Sequence, residues 1–372
     1  MTDSAKKRIG IIFGGRSSEH EVSIMSARSI MDVIDKDKYD IELFGITKTG
    51  HWIIAKPAYD MLDGKEISPY ETVYLPLNPA DHKLLCVSQQ MVGNPIIYLK
   101  NLDVVFPVLH GPYGEDGTIQ GIFEIAGIPY VGCGVAASAL GMDKILMKNL
   151  FIARGLPTVD SVHFTAKAWQ ADNENIKPIV ESKIGFPCFV KPANTGSSVG
   201  ITKVHDASEL ENALKIALEF DRKVLIEKGI DAREIECSVL GNDDPKASAL
   251  GEVVPSREFY DYEAKYHDEK SELIIPADLP ENISKRIKDL AVLAFKALDC
   301  CGMARVDFLL DKNTNDIYIN EINTIPGFTS ISMYSKLWEI TGISYPELVE
   351  KLINLALERF EENSKRKTSY GS

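Results

Sequence analysis

Arg305-Val306-Asp307-Phe308-Leu309-Leu310, a polar turn at 311–316, and Ile317-Tyr318-Ile319-Asn320-Glu321-Ile322-Asn323 decide how this chain is read. Successive side chains of a strand point to opposite faces, so Arg305 and Asp307 share one face, as do Glu321 and Asn323. If the turn closes a hairpin, both polar pairs meet on one side. Two carboxylates and an amide oxygen form a hard, all-oxygen donor set, suited to Mg²⁺ bridging nucleotide phosphates. A solvated outer face is the competing account, and a lone carboxylate pair would favour it. Here the strands are otherwise apolar, and the motif runs on into Thr324-Ile325-Pro326-Gly327, a turn suited to phosphate.

A second constellation lies upstream, at Phe189-Val190-Lys191-Pro192 followed by Thr195-Gly196-Ser197-Ser198-Val199-Gly200. A lysine leaving a buried strand beside a Gly/Ser loop can pair with phosphate oxygens while backbone N–H groups cradle them. By itself such a lysine is usually just solvated. The loop is no Walker A motif, because G-x-x-x-x-G-K-[ST] occurs nowhere in the chain. It does fit G-x-S-x-G, the hydrolase nucleophile elbow, but that motif requires a helix directly after the serine. Glycine and β-branched residues follow Ser198 instead, which predicts a strand and excludes the hydrolase. Asp311 onward also hints at a calcium loop, yet its sixth position is Asp316 and its twelfth Ile322, where glycine and glutamate are needed.

The rest of the chain predicts α/β layering. Ile9–Phe13 is a strand that runs into Gly14-Gly15, with a helix from Val22 to Ile34 and strands at Tyr39–Ile46 and Asp103–Leu109. Thr118–Ala126 and Leu140–Arg154 read as helices, and Leu210–Glu219 as an amphipathic helix with Leu210, Ala213, Leu214, Ala217 and Leu218 on one face. Strands at Ile235–Leu240 and Ala249–Val254, a helix at Ile283–Leu298, the hairpin and a closing helix at Tyr345–Phe360 complete the pattern. The expected units are 1–134, N-terminal and doubly wound-like; 135–226, central; and 227–372, C-terminal. The long polar stretch 257–280 reads as a lid loop.

Between the first strand and its helix stands Gly14-Gly15-Arg16-Ser17-Ser18-Glu19-His20-Glu21, which is not a dinucleotide fingerprint. Ser17 or Ser18 as a helix cap explains part of it. Alternatively the glutamates face a ligand at the carboxyl end of the strand, where His110-Gly111 and Glu115-Asp116-Gly117 would meet them. This stretch supports either reading.

Composition narrows the function. Among 372 residues, 54 acidic against 41 basic side chains give a net charge of −13, which argues against nucleic-acid or anionic-membrane surfaces. No apolar run approaches the roughly 20 residues that span a bilayer, and the start lacks the pattern of a signal peptide. Six cysteines without C-x-x-C pairing read as reduced thiols of a cytoplasmic protein.

Taken together, the segments resemble the D-alanine–D-alanine ligases of the ATP-grasp superfamily. The likeness runs in order through Phe13-Gly14-Gly15…Glu19-His20-Glu21-Val22-Ser23, Leu109-His110-Gly111…Gly114-Glu115-Asp116-Gly117, Gly141-Met142-Asp143-Lys144, Lys191-Pro192…Gly200, Phe259–Tyr266, Arg305-Val306-Asp307 and Asn320–Ser330. The resemblance implies a three-domain ATP-grasp fold and a cytoplasmic enzyme that joins two D-alanines through an acyl-phosphate for peptidoglycan synthesis. It further implies two Mg²⁺ ions (or Mn²⁺) at Asp307, Glu321 and Asn323, ATP as co-substrate, K⁺ activation and a homodimer. Lys144, Lys191 and Lys265 would contact phosphates; Glu227, Lys228, Glu234 and Phe259 would complete the nucleotide site. Glu21 would hold the first ammonium, linked through Ser197 to Tyr266 on the lid. Arg305 and the Gly327 N–H would stabilise an oxyanion, with His110, Ser332 and Met333 at the substrates. The lid ending Lys265-Tyr266 resembles dipeptide-forming members, which disfavours D-lactate as second substrate and, less strongly, D-serine. A nucleotide-binding protein without catalysis is the alternative from another class, and the complete set of metal ligands and cations counts against it.

Overall fold

In the computed structural model, which describes residues 6–67, 72–74, 83–87, 96–254 and 272–367, the first strand β1 (Lys7–Gly14) is buried from Ile9 to its end. A strand covered on both faces reads as a continuous apolar run, and this one pairs in parallel with its neighbours β2 (Tyr39–Ile46) and β7 (Val104–Val108). β3 (Trp52–Ile54) adds to the β2 edge antiparallel, giving the order β3-β2-β1-β7. α1 (His20–Val33) and α2 (Ala55–Leu62) follow β1 and β3. β4 (Thr72–Tyr74), β5 (Lys83–Val87) and β6 (Ile96–Asn101) form a separate antiparallel sheet. Gly14 ends β1 at φ +91°, where a Cβ would lie 2.2 Å from the Ile46 carbonyl oxygen. Only glycine fits there, and its turn releases the chain toward Glu19 at the carboxyl edge of the sheet.

α3 (Thr118–Ala126) leads to α4 (Val135–Met142) and α5 (Lys144–Ala153). The sequence predicts one helix across the last two, but Asp143 breaks it. Its φ/ψ of −88°/97° are extended, and its carboxylate accepts from the Ile145 and Leu146 N–H groups as the N-cap of α5. Both helices lie in the expected central unit, yet Ala137, Met147 and Phe151 pack in one core with Ile235, Val306 and Phe308 of the last sheet.

The central sheet, in the order β10-β9-β11-β8, is antiparallel: β8 (Ser161–Thr165), β9 (Cys188–Pro192), β10 (Thr202–Val204) and β11 (Lys223–Lys228). α6 (Ala166–Lys183) and α7 (Leu210–Phe220) cover it, with Leu210, Ala213, Leu214 and Ala217 buried as their helical spacing predicts. The last sheet has the order β14-β13-β12-β15-β16, from β12 (Ala232–Gly241), β13 (Lys246–Val254), β14 (Glu272–Ile274), β15 (Gly302–Asp311) and β16 (Ile317–Asn323). Thus β14 lies within the predicted loop at 257–280, while residues 257–271 of that loop fall outside the described residues. α8 (Glu281–Ala297) covers this sheet.

α9 (Met333–Ile340) and α10 (Tyr345–Ser364) close the chain. Leu348, Val349 and Leu352 of α10 pack with Ile9, Phe13 and Ile30 of the N-terminal unit, so the final helix is built into the first core. The mixed α/β class, with one parallel-strand sheet and antiparallel sheets after it, is the architecture the sequence predicts.

Candidate active site

The sheets and the 324–333 turn enclose a cavity of about 470 Å³. Its walls come from segments far apart in sequence: Glu19 after β1, His110 and Glu115 after β7, Lys144 at the start of α5, Lys191 on β9, and Arg305 and Glu321 on the hairpin.

The hairpin closes as its alternation predicts. Asp307 stands opposite Glu321 and Arg305 opposite Asn323, with a register shift just beyond Asp307. Arg305 clasps Asp307 with two bonds of 2.7 Å and lies 3.0 Å from Glu236 Oε2. Asn323 Nδ2 donates to Asp307 Oδ2 at 3.0 Å. Glu236 is a site residue not singled out from sequence, although it lies two residues beyond Glu234 on the same face of β12 and both line the cavity. Asp307 and Glu236 hold the buried Arg305 firmly protonated against the penalty of its burial. Both Asp307 oxygens are engaged, by Arg305 and by the Asn323 amide, and among the described residues no three His, Cys, Asp or Glu side chains converge as a ready metal site. A Mg²⁺ ion here would take Asp307, Glu321 and the Asn323 amide oxygen in exchange for those contacts, a donor set of the right chemical type.

Two lysines reach the same cavity from other elements. Lys144 Nζ donates to Thr195 O at 2.7 Å and lies 3.6 Å from Glu321. Lys191 Nζ is 2.5 Å from Glu227 Oε2, and Lys148, another residue unmarked in the sequence reading, is 2.6 Å from Glu227 Oε1. Burial works against the Glu227 charge, yet the two ammonium groups bring its pKa down to about 2. The Glu227 carboxylate, expected at the nucleotide, faces these lysines and is absent from the cavity lining. Lys228 is exposed at the end of β11, also away from the lining.

The expected role of Glu21 also needs correction. Its side chain is 68% exposed and pairs with Lys48 at 2.7 Å. Glu19 is the buried glutamate, and Ser197 donates to it. The cause is helical geometry: Glu19 sits at the N-cap position, and Glu21, two residues on, is turned some 200° about the α1 axis toward the outside.

His110 is buried and donates from Nδ1 to Ile325 O at 3.0 Å, so Nε2 accepts from Ser26 Oγ at 3.3 Å. Burial lowers its pKa despite the Glu19 charge. Glu115 accepts from the Gly111 N–H at 2.6 Å, and burial together with Glu19 pushes its pKa up to about 8. Gly327, Ser332 and Met333 line the far end, where the N-terminus of α9 opens on the cavity. Such a terminus presents unsatisfied N–H groups to a carboxylate. The next regular element after Ser198 is strand β10, which agrees with rejecting a hydrolase elbow. Phe259, Lys265 and Tyr266 lie outside the described residues.

Family models described as D-ala D-ala ligase N-terminus and C-terminus match residues 8–133 and 150–354. The chain is similar to the D-alanine–D-alanine ligase of Acetivibrio thermocellus, 53% identical over 97% of this chain and 98% of that one. The ligase of Thermoanaerobacter pseudethanolicus is 55% identical over 96% and 98%. Among solved structures, the D-alanine-D-alanine ligase from Coxiella burnetii superposes with a TM-score of 0.82 at 35% identity, covering 97% of each chain. A D-Ala:D-Ser ligase from Enterococcus faecalis gives 0.83 at 38% identity, covering 94% of this chain and 99% of that one.

Proposed function

The chain belongs to the D-alanine–D-alanine ligase family, and from that premise we propose how its residues divide the work of joining two D-alanines at the expense of ATP. The observation that carries the proposal is one cavity lined together by Glu321 and Asn323 of the hairpin, by Lys144 and Lys191, and by the buried Glu19, with Asp307 paired opposite Glu321 in the strands behind it.

Glu19, in place of Glu21, receives the ammonium of the first D-alanine. Ser197 and Gly196 beside it belong to the loop after β9, so this contact fixes the first substrate against the phosphate-binding lysines. The carboxylate of that D-alanine attacks the γ-phosphoryl of ATP, forming an acyl-phosphate and releasing ADP, while Lys144 and Lys191 offset the negative charge. Asp307, Glu321 and Asn323 would hold Mg²⁺, which when bound would supply positive charge against that of the phosphates. Ser332 and Met333, at the α9 N-terminus, receive the carboxylate of the second D-alanine. Its amine attacks the acyl carbon, and the oxyanion that forms is met by Arg305 and the Gly327 N–H. Phosphate leaves as the dipeptide bond closes. Glu234 and Lys228 serve the nucleoside, with Phe259, Lys265 and Tyr266 acting from the loop that shields the acyl-phosphate from water. His110 orders the 325–328 turn through Ile325.

Family likeness alone supports a count of two metal ions, Mn²⁺ as substitute, K⁺ activation, a homodimer and a cytoplasmic location; among the described residues no helix is long and apolar enough to cross a membrane. Hydroxylamine trapping tests the acyl-phosphate: ATP, Mg²⁺ and D-alanine should yield D-alanyl hydroxamate with ADP, and ADP formation without trappable hydroxamate would overturn that intermediate.

A further inference from the structure

Lys148 lies one helical turn beyond Lys144 on α5, with only 3% of its side chain exposed. The Glu227 carboxylate is shared between it and Lys191, one oxygen to each ammonium at 2.6 and 2.5 Å. Of these three charged groups, Lys191 alone lines the cavity. One ammonium would neutralise Glu227, so the second calls for an explanation. Burying a lysine so deeply costs free energy that a structural pair with Lys191 already in place does not require.

We propose that Lys148 is a positioning residue for ATP binding: it keeps the Glu227 carboxylate paired, so that Lys191 can leave that carboxylate for a phosphate oxygen. The inference rests on the proposed contact between Lys191 and the ATP phosphates. Without Lys148, a move of Lys191 toward the nucleotide strands a carboxylate that is 3% exposed, and a stranded buried charge is far more costly than a paired one. Lys191 then stays on Glu227, and the nucleotide meets an occupied lysine. The two lysines act as a relay, one holding the anchor while the other reaches the ligand.

Steady-state kinetics on the full-length enzyme, with ATP and D-alanine varied separately, test the relay. Lys191→Met should raise KM for ATP at least tenfold; an unchanged value would sink the phosphate contact, and the relay with it. Lys148→Met should also raise KM for ATP at least tenfold while leaving KM for D-alanine within twofold, and Lys148→Arg should restore ATP use to within threefold of wild type. With Glu227→Gln in place so that no buried charge is stranded, adding Lys148→Met to Lys191→Met should change KM for ATP by less than threefold, since there is no Lys191 left to release. Multiplying losses in that combination, or an ATP KM unmoved in Lys148→Met, would overturn the relay while leaving the Lys191 contact standing. Should Lys148→Met fail to fold, combining it with Glu227→Gln removes the buried negative charge. That double variant should use ATP within about fivefold of wild type, and a tenfold or greater loss would contradict the proposal.

Discussion

The Ser197 hydroxyl donates to the Glu19 carboxylate, closing a gap of 178 residues between the loop after β9 and the loop after β1. Glu19 is buried at 7% exposure, whereas Glu21 reaches into solvent and pairs with Lys48. Glu19 is the proposed seat of the first substrate's ammonium. Glu19→Gln should cut turnover at least a hundredfold, and Glu21→Gln should stay within about twofold, because the exposed Glu21 side chain pairs with Lys48 and does not line the cavity. ADP release measured side by side in the two variants checks the assignment; the opposite ranking would return the role to Glu21.

The difference between those two glutamates shows what the sequence could and could not reveal. The period-two alternation in Arg305–Leu310 and Ile317–Asn323 was enough to put both polar pairs on one side of the hairpin, since side chains two apart share a face; that Asp307 stands opposite Glu321 depends on a register shift that alternation does not reveal. At Glu19 and Glu21 no such period applied, because the chain there passes from turn to helix and the helix start decides which glutamate turns inward. Lys148 was out of reach for a related reason. Its partner Glu227 lies 79 positions away on β11, and only the assembled fold brings α5 against that strand. The break at Asp143 left a local signal, an aspartate with free N–H groups just ahead, but the apolar pattern on both sides concealed it. That α10 would pack on the first sheet was not legible at all, since amphipathicity identifies a buried face without naming what covers it.

At the hairpin, Glu321→Gln removes a charge from the cavity wall and Asp307→Asn one from the Arg305 contact behind it, and both leave the apolar side of the strands intact. Both variants should fold with the wild-type circular dichroism spectrum and release phosphate from ATP at least a thousandfold more slowly. Near-normal ATP-dependent phosphate release from Glu321→Gln would remove the metal assignment.

Glu115 gives a pH dependence with a definite sign. Its pKa is pushed up to about 8 from an ordinary 4.5, so between those values the native state binds a proton that the unfolded chain does not. Its contribution to stability is fully present below about pH 4.5 and is lost as pH rises toward 8. Glutamine mimics the neutral carboxyl and cannot ionise. Glu115→Gln should therefore gain on the wild type in urea midpoint between pH 5 and 8, by an amount on the order of 1 kcal/mol or more. A constant difference across that window would mean that Glu115 is already ionised in the native protein.

Phe328 follows Gly327 and is fully buried, with ring centroids 5.8, 5.8 and 5.4 Å from Phe106, Tyr334 and Tyr345. It ties the turn at the second-substrate end to β7, α9 and α10 at once. Phe328→Ala should cost about 3–5 kcal/mol of stability, read as a lowered midpoint of chemical unfolding. Oxyanion placement by the Gly327 N–H should loosen too, so kcat should fall more than KM for ATP rises.

The central claim is that this cavity joins two D-alanine molecules at the cost of one ATP. Product analysis with ATP, Mg²⁺ and a panel of D-alanine, D-serine and D-lactate tests it directly. The account predicts D-alanyl-D-alanine as the dominant product, formed one for one with ADP and phosphate, with no ADP release when D-alanine is withheld. A dominant mixed product carrying D-serine or D-lactate, or ATP consumption indifferent to D-alanine, would contradict it.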